Sequence, residues 1–96
     1  MDKTDIKIND VFKPDDDIIK RKIGDDLCLY SPVKSVIMSL NQTAAFIFKK
    51  CNGKKDLKDI LDELSKIHKK ERTERLREDL FKLISEMTEK GFLVKV

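Results

Sequence analysis

The chain has 96 residues, of which 40% are hydrophobic and 41% charged, and 21 Lys and Arg against 18 Asp and Glu leave a net charge of +3. A chain of this length makes one domain that buries about 65% of its unfolded surface, enough for a single core but hardly for a deep, water-excluding active site as well. The balanced charge lacks the one-signed excess of a dedicated nucleic-acid binder, no apolar run reaches the roughly 18 residues that span a membrane, and Met1-Asp2-Lys3-Thr4-Asp5 offers no apolar signal region, so the expected location is the cytoplasm.

Residues 1–17 are sparse in apolar side chains and end in Asp15-Asp16-Asp17. They are expected to form an N-terminal arm, with Ile6 and Ile8 either in a short strand or loosely held. Residues 18–96 are expected to form the domain. Ile19, Arg21 and Ile23 alternate with Ile18, Lys20 and Lys22, a period of two that predicts a strand with one apolar face. Gly24-Asp25-Asp26 makes a turn, Leu27 to Tyr30 a second strand, Ser31 to Ser35 another turn, and Val36 to Leu40 a third strand. Together they predict a three-stranded antiparallel meander with one packed and one wetter face.

At Asn41 the period becomes 3.6. Asn41 is a good N-cap, and Ala44, Ile47, Phe48 and Cys51 share one helix face ahead of an Asn52-Gly53 stop. A second helix starts at Asp56 with Leu57, Ile60, Leu61, Leu64 and Ile67 as its stripe. The basic stretch from Lys66 to Arg72 reads as a connector, after which Thr73 is positioned to cap a third helix striped by Leu76, Leu80, Leu83, Ile84 and Met87. Gly91 ends it, and Phe92 to Val96 form a last strand or a core plug. Strands followed by helices predict an α+β domain.

Catalytic chemistry is scarce. His68 is the single histidine and sits in the charged connector, where a solvated role is expected. Cys28 and Cys51 have no CxxC or metal-ligand spacing and read as small apolar residues. Gly24, Gly53 and Gly91 fall at turns and helix ends rather than in a phosphate loop, and Asp15-Asp16-Asp17 reads as an exposed acidic loop. No enzyme activity, metal or cofactor is expected. Two features do bear on binding. Phe81 falls about 100° from Leu80 around the third helix, which either widens the core-facing stripe or gives the helix a second apolar face for a groove. Val36-Ile37-Met38-Ser39 carries no charge; as a sheet edge it would accept an added chain, and otherwise it is central or covered.

The segment Leu40-Asn41-Gln42-Thr43-Ala44-Ala45-Phe46-Ile47 resembles the L-N-x-T-A-x-x-I signature that opens the first helix of PqqD-like proteins. Cys51-Asn52-Gly53 is similar to that family's helix stop. Lys55 to Ile60 resembles its T-V-x-E-I segment, with Asp56 in the Thr place and Leu57 in the Val place. Leu80 to Ile84 with Lys90-Gly91-Phe92-Leu93 resembles F-L-x-x-L…G-L-L. The resemblance implies a winged helix-turn-helix-like domain that binds the leader segment of a ribosomally made precursor peptide. In that family the leader adds to the third strand and lies against the third helix, and the peptide is presented to a maturation enzyme, often a radical SAM enzyme. The short chain implies a free-standing form. Backbone pairing is then expected at Val36, Ile37, Met38 and Ser39, and groove contacts at Arg77, Phe81 and Ile84, with Arg77 suited to an acidic leader residue. The uncharged edge also suits pairing with a second copy of the chain. Two other readings compete. A DNA-binding winged helix is opposed by the five basic and six acidic residues between Glu71 and Lys90; a small structural subunit of another enzyme is the second.

Overall fold

In the computed structural model, which describes residues 6–96, the chain order is β1 (Phe12–Pro14), β2 (Ile19–Ile23), β3 (Asp26–Ser31), β4 (Val36–Leu40), α1 (Gln42–Lys50), α2 (Leu57–Ile67), α3 (Thr73–Glu89) and β5 (Leu93–Lys95). The three strands with period-two alternation form one antiparallel sheet in the order β2-β3-β4, and three helices follow, as the α+β expectation requires. Gly24, at φ 62°, supplies the left-handed residue between β2 and β3.

The sheet presents Leu29 and Leu40 to the helices, and both are fully buried. Ile47 and Phe48 of α1, Ile60 and Leu64 of α2, and Leu80 and Met87 of α3 close over them as one core. Each helix stripe is the one its periodicity predicts, apart from Ile67, which ends α2 and is 58% exposed. Asn41 caps α1 by accepting the Ala44 N–H at 2.9 Å, and Asp56 caps α2 by accepting the Asp59 N–H at 2.9 Å. Thr73 does not cap α3. It is the first helical residue, and Arg72 occupies the cap position without a side-chain bond.

The first meander strand departs from expectation. Ile19 and Ile23 face away from the helices, 46% and 61% exposed. The register explains this: Lys20 pairs with Leu29 and Lys22 with Leu27, so once Leu29 points into the core the two lysines share its face. Their methylene stems can lie over apolar surface while the ammonium groups stay wet.

The N-terminal segment is tied to the domain. Ile6 and Ile8 form no strand; the strand is Phe12–Pro14, which pairs antiparallel with β5. The Ile8 and Asp10 carbonyls accept the Lys58 and Leu57 N–H groups at 2.9 and 3.0 Å. These are orphan amides of the first turn of α2, so the segment supplies what the helix itself cannot. Phe12 is buried, and its carbonyl accepts the Gly53 N–H at 2.9 Å. The tail is both strand and plug, since Phe92 and Leu93 are buried beside it.

Asp10 fastens this junction. Its carboxylate accepts the Lys7 N–H at 2.8 Å and meets Lys95 Nζ at 3.2 Å. The Lys7 amide, and after it Lys95, hold its pKa below the ordinary 3.8. A carboxyl with a lowered folded pKa contributes stability that is complete above its unfolded value and is lost as pH falls through the folded one. Asp10→Asn is therefore expected to flatten the decline of the urea midpoint as the pH falls below about 4. An identical decline in the variant and the wild type would show that Asp10 contributes nothing.

Candidate functional site

The expected site rests on β4 and α3. β4 has β3 on one side only, and among the described residues no other strand pairs with its second edge. Val36, Met38 and Leu40 turn toward the helices, the first two half-buried, while Ile37 and Ser39 turn outward and Ile37 is 66% exposed. Neighbouring residues of an edge strand send their N–H and C=O groups to opposite sides. Roughly half of the polar backbone groups over Val36–Leu40 therefore face the free edge, along about 17 Å of strand. No charged side chain interrupts this row.

One end of β4 is anchored to α3. Ser35 takes φ 54° ahead of the strand, and the Lys34 N–H donates to Ser31 Oγ at 3.3 Å. Lys34 Nζ then donates to the Glu89 carbonyl at 3.2 Å, a favourable place for a cation at the negative end of a helix. The Lys34 stem covers Gly91, where an added Cβ would lie 3.0 Å from its Cδ. Lys34, which the sequence pattern did not single out, thus links the turn ahead of β4 to the C-terminal end of α3.

On α3, Arg77 is exposed and its guanidinium lies 5.4 Å from the Phe81 ring centroid, within cation–π range. Phe81 is half-buried and lines a cavity of about 450 Å³ with Ile6, Lys82, Ser85, Glu86 and Glu89. Glu86 also pairs with Lys90 at 3.0 Å. Ile84 is fully buried, so it supports this face from beneath and presents no surface to a ligand. The cavity takes no lining residue from β4. Of the expected site residues, then, Arg77 and Phe81 lie together on α3, while Val36 to Ser39 lie on a separate surface outside this cavity. Ile6 and Ser85 were missed by sequence reasoning: Ile6 lies in a segment without periodicity, and Ser85 carries no signal of its own.

Cys51 is buried, and burial pushes its thiol pKa up to about 12, so it is unreactive. Glu63 accepts from Lys55 at 2.6 Å and pairs with Lys50 at 3.1 Å, and these two lysines hold its carboxyl below the usual range.

A family model described as coenzyme PQQ synthesis protein D (PqqD) matches residues 26–93, from the start of β3 to the first residue of β5. The chain belongs to the PqqD family. Among solved structures, this PqqD-family chain is similar to TbiB1, in a structure described as TbiB1 in complex with the TbiA(beta) leader peptide, with a TM-score of 0.75 and 17% identity over 84% of this chain and 93% of that one. At that identity the likeness establishes a shared fold. No curated protein sequence matches.

Proposed function

We propose that this PqqD-family protein is a non-catalytic peptide carrier. It binds the leader segment of a ribosomally synthesised precursor peptide by strand addition to β4 and holds it for a maturation enzyme, for example a radical SAM enzyme. The observation that carries this reading is the uncharged edge of β4, unpaired among the described residues, together with a third helix on which Arg77 is exposed beside the half-buried Phe81. Support also comes from the family and from a structural relative whose complex contains a leader peptide. Main-chain bonds along Val36 to Ser39 supply affinity in such a mode, and side-chain contacts on the helix supply selection. The peptide-holding unit is 18–96, with residues 6–17 as a strap across the start of α2; the remainder of the expected arm, residues 1–5, lies outside the described residues. Two copies pairing through the same edge would exclude the leader. The encounter belongs in the cytoplasm, where free thiols such as Cys28 and Cys51 persist.

The direct test is titration of labelled leader segments, taken from short peptides encoded beside this chain, with backbone amide shifts recorded. Shifts confined to β3 and α2, and absent from β4 and α3, would refute the proposed site. Phe81→Ala is expected to weaken leader binding by about 1–3 kcal/mol if the ring is desolvated by the peptide. Because Phe81 is only half-buried, the melting temperature should change little. A large drop in melting temperature with unchanged affinity would assign Phe81 to the core instead.

A further inference from the structure

β2, the other edge of the sheet, is chemically unlike β4. Its five residues are Ile19-Lys20-Arg21-Lys22-Ile23, all exposed, and among the described residues no strand other than β3 pairs with it. Lys20 and Lys22 lie on the face toward the helices, beside Lys49 of α1, and none of the three has an ion-pair partner among the described residues. They rim a trough between β2 and α1 made of two adjoining cavities of about 300 and 320 Å³, floored by Leu27, Phe48 and Cys51. Asp25 and Asp26 close the end of the trough near the Gly24 turn. On the other face of the same strand, Ile19 and Ile23 stand exposed on either side of Arg21, and Ile19 continues across the sheet into the Tyr30–Ile37 pair.

Charged residues on an edge strand ordinarily protect it from indiscriminate pairing. That accounts for the lysines but not for two exposed isoleucines on the same strand, nor for an apolar trough beneath the ammonium groups. Cross-strand neighbours on one face interact directly. A strand added to β2 would set alternate side chains beside Lys20 and Lys22, and the intervening ones beside Ile19 and Ile23. Its complement therefore carries acidic residues on the first face and apolar residues on the second.

We propose that the β2 edge and the trough beside α1 form a second docking site, which takes an extended segment of a partner protein in which acidic and apolar residues alternate. Carboxylates of that segment meet Lys20, Lys22 and Lys49 while their methylenes cover Leu27 and Phe48. Asp25 and Asp26 repel acids at the turn end and so limit how far the segment extends toward Gly24. With the leader on β4, the two edges of one small sheet would hold two different chains at once. The docking site does not depend on the leader reading, since it uses no residue of β4 or α3.

The test uses the intact protein, labelled for amide shifts, and a synthetic peptide of about six residues in which valine and glutamate alternate, a length matched to a typical strand. Saturable shifts are expected over Ile19 to Leu27 and at Lys49, with β4 unmoved. The affinity should fall as salt rises from about 50 mM to about 300 mM, because rim charges are screened. The double variant Lys20→Glu/Lys22→Glu is expected to bind about tenfold more weakly, with an unchanged melting temperature. A peptide with lysine in place of glutamate should not bind. Shifts at β4 instead of β2, no saturation, or equal shifts produced by inorganic tripolyphosphate would each overturn the proposal. The last would leave a generic anion patch. None of these outcomes touches the leader titration, which is read on β4 and α3.

Discussion

Leu40→Asp and Ile47→Asp are each expected to unfold the domain at clearly lower urea than the wild type. Leu40 ends β4 at 1% exposure, and Ile47 lies in the middle of α1 at 3%. Both side chains belong to the cluster that joins sheet to helices. A carboxylate at either position finds no cation among the described ion pairs, so it is buried unpaired or forces the site open. The lost apolar burial and the stranded charge together cost roughly 4 kcal/mol or more, the severe end of single-residue effects. Domains of this kind have only about 5–15 kcal/mol in total, so each variant should lose a large share of its stability. Urea midpoints and amide dispersion of the two variants check this. Wild-type stability in either one would mean that the junction between β4 and α1 is out of register by one residue, which would turn every β4 side chain to the other face.

The second large effect concerns binding. Proline at Ile37 or at Met38 removes one backbone donor and restricts φ. Ile37 pairs with Tyr30 and Met38 with Leu29, so in an antiparallel ladder one of the two amides is bonded to β3 and the other points to the free edge. The two variants should therefore separate. The one whose amide faces β3 loses a ladder bond and lowers stability. The one whose amide faces the edge is expected to keep most of its stability and to lose leader affinity by at least about tenfold, one hydrogen bond together with the clash of the ring against the incoming chain. Melting curves and leader titrations measured side by side make the comparison. Two variants with equal affinity and equal stability would mean that the leader does not pair with this strand.

Periods and caps were legible because they are local. The alternation through Leu27, Leu29, Val36, Met38 and Leu40 correctly separates inner from outer side chains. The 3.6-residue stripes place Ile47, Leu57, Ile60, Leu80 and Met87 in the core, and Asn41 caps its helix with its own side chain. For β2 the same alternation misleads. A strand of three central cations between isoleucines reads as an apolar face, yet which face packs is decided by pairing with β3, where Leu29 outweighs Ile19.

By itself, then, the sequence determined the order of the three meander strands and the three helices, the stripe of each helix, the uncharged character of Val36 to Ser39 and the family. All of these follow from residues within one or two turns of each other, or from motif order along the chain. Tertiary structure alone decided that both β2 and β4 are edges without a further partner among the described residues, that Ile84 lies beneath the surface while Phe81 stays half-buried beside Ile6, and that Lys34 reaches across 55 residues to the Glu89 carbonyl. It also decided that carbonyls of Ile8 and Asp10 complete the first turn of α2. Such contacts join backbone groups and side chains far apart in the chain. Every residue carries the same backbone donor and acceptor, so neither composition nor periodicity marks which distant partner it will meet.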